Sequence, residues 1–147
     1  MGPASAGSMT ALGCGRPFRM PAGAGPLTLT GRFPAAAPAG AQVVSGAVEV
    51  TSGVPTRGVV LPQAEVFLVR DGRVATVPVL QDALGLRLEL APGRIQRLPG
   101  EATLVSCEPG AGPVPPGTYQ LYARVVFTPD DGASVESFGG PWPLQVR

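Results

Sequence analysis

The sequence predicts an all-β fold, an antiparallel β-sandwich of about eight or nine short strands in a single domain. Three observations support this prediction: apolar and polar residues alternate along many short segments, an Asp-Gly pair joins two β-branched runs, and turns rich in Pro and Gly separate the segments. No segment shows the apolar period of a helix. A chain of 147 residues has the usual length of one domain and can bury a core.

The chain opens with residues 1–24, which are rich in Gly, Pro, Ala and Ser and predict a flexible or extended lead-in with Cys14 as its anchor point. The predicted sandwich domain occupies residues 25–147. Its first strand covers residues 27–33, where every second residue is apolar or Gly, and residues 34–41 form a connection.

The same alternation predicts the remaining strands. In chain order they cover residues 42–51, 56–61, 66–70, 73–77, 84–90, 101–107 and 118–128, and a last strand covers residues 134–138 and, after a bend at residues 139–141, residues 142–146. Residues 84–90 carry all their leucines on one face. Residues 118–128 form the longest strand, with Tyr119 facing inward and Tyr122 and Arg124 facing outward.

The strongest local signal is a β-hairpin over residues 66–77. Its centre is Asp71-Gly72, a pair that tolerates the positive φ angles of a type I′ turn. Arg70 and Arg73 then lie directly opposite each other, a mildly repulsive arrangement that requires solvent. We therefore expect an exposed hairpin tip.

Cys14 and Cys107 are the two cysteines, and their wide spacing favours a structural disulfide over a metal site or a redox pair. Free buried thiols and a lipid-anchored Cys14 are the alternatives. A disulfide indicates an extracytoplasmic protein, secreted or in the cell envelope, whose signal peptide is not present in this chain. The protein is cytoplasmic if Met1 is the true start.

Composition excludes several classes of function. The formal net charge is +1 and the arginines are scattered singly, which argues against nucleic acid as a partner. No apolar stretch has the length of a transmembrane segment.

Lys, His and Asn are absent while Gly, Pro, Ala and Val are abundant, a usage typical of a GC-rich genome such as those of many actinobacteria.

The side chains offer no recognisable catalytic or metal-binding set, and we expect neither a cofactor nor an enzyme activity. Without histidine, Ser-His and Cys-His nucleophile systems and His-dependent zinc sites cannot be assembled. The carboxylate side chains of the sequence fall on predicted solvent faces or turns. Asp130 and Asp131 with Glu136 offer oxygen ligands to Ca²⁺, but a turn chosen for its Asp and Gly residues is the favoured interpretation.

Residues 115–123, Pro-Pro-Gly-Thr-Tyr-Gln-Leu-Tyr-Ala, resemble the Pro-Gly-x-Tyr-x-Leu entry to a late strand of bacterial immunoglobulin-like domains. The resemblance implies an immunoglobulin-like sandwich. It also implies a structural corner, in which Gly117 permits a sharp turn and the Tyr119 hydroxyl caps a loop backbone group. Antibody-type domains differ, because Leu121 occupies the position of their second cysteine.

A second resemblance, over about residues 42–128, is to bacterial BsuPI-type proteinase-inhibitor domains. It depends on the hairpin turn, on Leu-Ala-Pro-Gly at residues 90–93 and on Pro-Pro-Gly-Thr-Tyr at residues 115–119. It implies inhibition of a proteinase through an exposed loop, either residues 109–116 or the hairpin tip.

These observations predict a non-enzymatic structural or protein-binding module, whose partner is another protein or a cell-envelope component. Tyr122 and Arg124 form the candidate binding surface, because Tyr and Arg are enriched at interfaces. The alternatives are a proteinase inhibitor and a carbohydrate-binding module that uses Tyr122 or Trp142. Alternation with Leu144 and Val146 favours a core position for Trp142.

Overall fold

The computed structural model describes residues 10–23, 25–79, 81 and 84–147, so residues 1–9 and 24 of the predicted lead-in lie outside it. The described residues form ten β-strands and no helix, which confirms the all-β class. The strands are β1 Thr28–Arg32, β2 Ala36–Ala37, β3 Val43–Thr51, β4 Thr56–Val60, β5 Ala64–Arg70, β6 Arg73–Val74, β7 Leu86–Leu90, β8 Gln96–Thr103, β9 Gly117–Pro129 and β10 Val135–Val146.

The strands belong to one curled, mixed sheet. Its main path runs β1-β3-β8-β5-β9-β10-β2, with β4 paired to β9 and β7, and with β6 paired to β5. Because the sheet curls, β1 at one end of the path packs against β10 near the other end. The amide of Leu27, just before β1, donates to the hydroxyl of Ser137 on β10 at 3.0 Å. The main apolar core draws on strands from both ends of this path.

Two strand pairs are parallel, which differs from the antiparallel sandwich that the sequence predicts. β5 runs parallel to β8, and β2 runs parallel to β10. β2 also lies inside residues 34–41, which the sequence predicts as a connection. Alternation along a strand specifies which face is buried, but it carries no information on the direction of the neighbouring strand.

The buried faces follow the predicted alternation in the long strands. On β9 the buried side chains are Tyr119, Leu121, Ala123, Val125 and Phe127. The leucines of residues 84–90 depart from the pattern, because Leu88 and Leu90 are buried whereas Leu84 and Leu86 are exposed. Leu84 precedes the strand, and Leu86 is the first residue of β7.

Several element boundaries differ from the prediction. β8 begins at Gln96 rather than at residue 101, and β10 continues through the predicted bend at residues 139–141 with an irregular register. β6 has only two residues. Beyond it, the amide of Ala75 donates to the carbonyl of Leu68 at 2.8 Å, and the buried hydroxyl of Thr76 accepts a hydrogen bond from the amide of Leu68 at 3.0 Å.

The described part of the lead-in packs against the sheet. Its backbone binds the hairpin, because the amides of Gly15 and Phe18 donate to the carbonyls of Val74 and Gly72 at 2.9 and 2.8 Å. Its apolar side chains cover the outer face of β5, β9 and β10. The lead-in therefore adds a layer to the fold.

Candidate interaction surface

Tyr119 forms the corner that the sequence predicts. Its ring is buried, and its hydroxyl donates to the carbonyl of Pro115, four residues upstream in the loop before β9. Gly117 lies between them with a φ of 151°, and a side chain there would collide with the guanidinium group of Arg70. Arg70 donates to the same hydroxyl at 3.0 Å and lies over the Tyr119 ring, 5.1 Å from its centroid. The corner therefore holds the loop to the start of β9.

The hairpin turn also has the predicted form. Asp71 and Gly72 have φ angles of 52° and 77°, the two positive values of a type I′ turn. Arg70 pairs directly opposite Arg73, as expected. The two guanidinium groups diverge, because Arg70 turns to the corner while Arg73 donates to the carbonyl of Gly15 at 3.1 Å. The tip is exposed to solvent.

Cys14 and Cys107 form the predicted disulfide, with their Cα atoms 5.7 Å apart. The bond connects the lead-in to the segment that follows β8. The amide of Cys107 also donates to the carbonyl of Ala75, just after β6, at 3.1 Å. The disulfide therefore fastens the lead-in beside the hairpin, with Cys14 exposed to solvent.

A second, smaller apolar cluster lies between the lead-in and the outer face of the sheet, and it includes Phe67 and Phe138. The ring centroid of Phe18 in the lead-in is 5.1 Å from that of Phe67 and 4.8 Å from that of Tyr122, both in edge-on geometry. Burial raises the pKa of Tyr122 above its ordinary value. The outward-facing Tyr122 is therefore a contact of the lead-in.

Arg124, the other residue of the predicted binding surface, belongs to a largely buried charged cluster. It binds Glu65 on β5 through Nε at 2.7 Å and Glu136 on β10 through Nη1 at 3.0 Å, and its side chain is 12% exposed. The carbonyl of Thr10 accepts a further bond from Nη1 at 2.7 Å, and the amide and hydroxyl of Thr10 donate to Glu136. A partner reaches Tyr122 and Arg124 only where the lead-in is displaced.

The remaining sequence candidates are dispersed. Trp142 is half-buried against the main core and stacks on Phe33 with a centroid distance of 6.1 Å, in agreement with the predicted core position. Glu136 binds Arg124 rather than joining Asp130. Within the described residues no group of three carboxylates or cysteines is placed to hold a metal ion.

The loop at residues 109–116 is folded back on the preceding segment. Val105 and Pro113 form an antiparallel bridge, and the amide of Val114 donates to the carbonyl of Leu104 at 2.8 Å. Its tip, around Pro109 to Ala111, is exposed. The loop is therefore an ordered turn with a solvent-facing tip.

β4 and β7 together form a ribbon at the margin of the sheet, called here the β4–β7 ribbon. β4 pairs with β9 on one side, where Val60 lies opposite Phe127, and with β7 on the other. In the described part of the chain, β7 has no strand on its second side. A strand edge of this kind is a template for pairing with another chain. β7 itself, Leu-Arg-Leu-Glu-Leu, contains neither a Pro nor a bulge that would block such pairing.

Exposed apolar side chains concentrate at this ribbon. The described residues include eight large hydrophobic side chains that are exposed, and five of them lie on β4, at or before β7, or in a flanking loop: Val54, Val59, Leu84, Leu86 and Ile95. Leu84 is 82% exposed and Val54 is 64% exposed. Apolar groups exposed together on a protein surface are typical of interaction sites.

Two adjoining clefts open beside β4. One lies between the start of β4 and the loop after β7, and it is lined by Pro55, Thr56, Arg57, Glu89, Leu90, Ala91, Arg94, Ile95 and Gln96. The other lies between β4 and the turn from β9 to β10, with Phe127, Pro129 and Val135 as its apolar wall. Both clefts include Arg57 in their lining, beside further charged side chains of either sign.

The outer face of the ribbon carries charged pairs. Arg87 on β7 donates two hydrogen bonds of 2.6 Å to Asp130, and its Nε lies 3.5 Å from a carboxylate oxygen of Glu89. The hydrogen bond from Arg87 holds the pKa of Asp130 below its ordinary value. All three groups are exposed, so their attraction is screened by solvent.

Sequence reasoning missed the layer that the lead-in forms and the free edge of β7. The sequence does contain a signal for the layer, because Leu12, Phe18 and Met20 are apolar residues within a segment of small residues and Pro. The second has no local signal, because the alternation of β7 is that of any half-buried strand. The number of neighbours of a strand is decided by the topology of the whole sheet.

No protein-family model and no curated protein sequence match the chain. Among solved structures, it is similar to the CARDB domain of a Pyrococcus furiosus protein in complex with di-metal ions, at 14% identity and a TM-score of 0.40, over 82% of this chain and 91% of that one. It is also similar to Spo0M, a sporulation control protein from Bacillus subtilis, at 14% identity and a TM-score of 0.43, over 84% of this chain and 50% of that one.

A third similar structure is a β-glucosidase from Listeria innocua in complex with glucose, at 16% identity and a TM-score of 0.41. The match covers 82% of this chain but 16% of the β-glucosidase. At these TM-scores the similarities carry no information on function.

Among the described residues there is no helix that could span a membrane.

Proposed function

We propose that the chain is a non-enzymatic, extracytoplasmic module with an immunoglobulin-like fold, which binds another protein by strand addition to the free edge of β7. The observation that carries the proposal is that β7, in the described residues, pairs with β4 alone. In strand addition the main chain of the partner completes the hydrogen-bond ladder, while pockets for alternate side chains provide specificity.

The surroundings of the edge support this mode of binding. Leu84 and Leu86 are exposed at the start of β7, and Ile95 and Val54 are exposed at its other end. The cleft between the start of β4 and the loop after β7 is lined by Glu89 and Leu90 of β7 and by Ile95, so it provides concave surface next to the edge. An added strand would therefore gain both backbone hydrogen bonds and apolar contacts.

Two further observations support the non-enzymatic and extracytoplasmic parts of the proposal. The chain has no histidine, and both cysteines are joined in the disulfide, so neither a His base nor a thiol nucleophile is available. Disulfides persist in oxidising compartments, where secreted and cell-envelope proteins reside.

Site-directed photo-cross-linking in the native host tests the proposal. A photoreactive amino acid replaces Leu84 beside β7 in one variant and Ala111 at the tip of the loop 109–116 in a matched variant. We expect irradiation to yield an adduct with a polypeptide at position 84 and none at position 111. Both positions are exposed, so accessibility does not distinguish them.

Two outcomes of this experiment would contradict binding at the free edge of β7. An adduct at position 111 alone would contradict strand addition and would favour the proteinase inhibitor that uses this loop. Adducts at neither position would also contradict the proposal. A third variant with Gly58→Pro in β4 is not informative, because it would disturb the pairing of β4 with both of its neighbours.

A further inference from the structure

We infer that the strand added to β7 is the β7 strand of a second copy of this chain, paired antiparallel about a two-fold axis at Leu88. The inference rests on the proposed function, since it names the partner of the same edge. It follows from the charge pattern of β7 and the position of its apolar residues.

In this arrangement Leu88 lies opposite Leu88 of the second copy, and each Arg87 lies opposite the other chain's Glu89. Both charged residues project from the outer face of the sheet, because Leu88 and Leu90 are buried on the inner face. Opposite charges directly across an antiparallel pair stabilise it, and the two-fold axis produces two such pairs. The sequence of β7 is therefore complementary to itself.

The same charges exclude the neighbouring registers. An axis at residue 87 places the two copies of Arg87 opposite each other, and an axis at residue 89 does the same for the two copies of Glu89. Like charges directly opposite are destabilising. A slip of one residue would turn the leucines of one chain to the charged face of the other. Leu88 is thus the axis that satisfies both the charges and the apolar face.

The intramolecular contacts of Arg87 are compatible with this pairing. Arg87 binds Asp130 through Nη1 and Nη2, and its Nε lies at 3.5 Å from its own Glu89. Both Nη atoms are therefore directed across β4 to the residue after β9, on the side away from the free edge. Nε is the donor that remains for Glu89 of the second copy, which adds a carboxylate on the same outer face.

Leu86 at the start of β7 gains cover in the dimer. In the register about Leu88 it lies opposite Leu90 of the second copy, and it is 37% exposed in the single chain. Leu84, which is 82% exposed, precedes the strand. The five residues of β7 make a small interface, which belongs to the weak and concentration-dependent class.

Sedimentation velocity of the full, disulfide-bonded chain over a wide range of concentration tests the inference. We expect the wild-type protein to pass from monomer to dimer as its concentration rises. Arg87→Glu and Glu89→Arg should each remain monomeric, because each places like charges across the interface. A mixture of the two variants should form a heterodimer, because one chain then presents two carboxylates to two guanidinium groups. Arg19→Glu, an equal charge change on the lead-in, should dimerise as the wild type does.

Recovery of association in the mixture requires both variants to be folded, so it excludes misfolding as the cause of their monomeric state. A wild-type protein that stays monomeric at its highest soluble concentration, or a mixture that does not associate, overturns the second copy as partner. If Arg87→Glu and Glu89→Arg both still dimerise as the wild type does, the register about Leu88 is wrong. The cross-link at position 84 tests the proposed function separately. An adduct with a polypeptide other than this chain would support strand addition at the edge of β7, with a partner that is not a second copy.

Discussion

At the scale of single residues, the loops are held to the sheet by a few side-chain hydrogen bonds. The clearest is the corner, where the Tyr119 hydroxyl donates to the carbonyl of Pro115 and accepts from Arg70. One hydroxyl therefore binds a loop carbonyl and a hairpin side chain. Both bonds are partly buried, and a hydrogen bond to a charged group such as Arg70 contributes about 1.5–3 kcal/mol.

Tyr119→Phe tests the corner. The variant keeps the ring but leaves the carbonyl of Pro115 and the guanidinium group of Arg70 without their shared partner, so the free energy of unfolding should fall by about 1–3 kcal/mol. Tyr122→Phe is the matched control, because the described residues offer no hydrogen bond to the Tyr122 hydroxyl, and a change below about 0.5 kcal/mol is expected. Urea denaturation measures both. Equal effects of the two substitutions would contradict the role of the corner.

At the scale of elements, the lead-in acts as an outer layer rather than as a tail. It contributes Phe18 to the small apolar cluster and Thr10 to the charged cluster around Arg124. These contacts join one segment to three strands, β5, β9 and β10. The outer face of the sheet is buried because the lead-in lies on it.

Phe18→Ser should loosen this layer. With the ring of Phe18 removed, water reaches Tyr122, so the pKa of Tyr122 should fall back toward the ordinary tyrosine value. An NMR titration with labelled tyrosine rings follows this change, and Arg19→Ser, on an exposed neighbour, is the control. A Tyr122 pKa that is unchanged by Phe18→Ser would contradict the burial of this ring by the lead-in.

The raised pKa of Tyr122 also determines how the free energy of unfolding changes with pH. Folded Tyr122 holds its proton to a higher pH than the unfolded chain does, because burial disfavours the phenolate. The free energy of unfolding of the wild-type protein should therefore fall as the pH rises above about 10. The fall should be smaller in Phe18→Ser.

At the scale of the whole molecule, the disulfide and the curl of the sheet join distant parts of the chain. Cys14 and Cys107 are 93 residues apart in the sequence, and β1 packs against β10. A crosslink over so long a loop restricts the unfolded chain strongly. The same bond fastens the lead-in between Thr10 and Phe18, which both contact the sheet.

Replacing both cysteines, Cys14→Ser with Cys107→Ser, should lower the free energy of unfolding by about 2–5 kcal/mol while the sheet persists. Denaturation in urea and far-ultraviolet circular dichroism measure the two quantities. Wild-type protein treated with a reductant should match the double variant. Free thiols in the folded, never-reduced protein would contradict both the disulfide and the extracytoplasmic location proposed from it.

The sequence by itself predicted most of the strands, the buried faces of the long ones, the Asp71-Gly72 turn and, as the favoured of three alternatives, the pairing of Cys14 with Cys107. These features depend on side-chain alternation, on the φ angles that a turn requires and on the small number of cysteines. The Tyr119 corner was implied by the resemblance to immunoglobulin-like domains. Tyr122 and Arg124 were likewise correctly assigned to the outward face of β9. Whether that face meets solvent was beyond the reach of local patterns.

Only the tertiary structure decided which strands are neighbours, and with that the location of the candidate site. The parallel pairing of β5 with β8, the lead-in over Tyr122 and the unpaired side of β7 all depend on contacts between residues far apart in the chain. Leu84 shows the reason most directly, since the same alternation that buries Leu88 within β7 leaves Leu84, which precedes the strand, in solvent. Burial is a property of the neighbours, and the neighbours are selected by the whole fold.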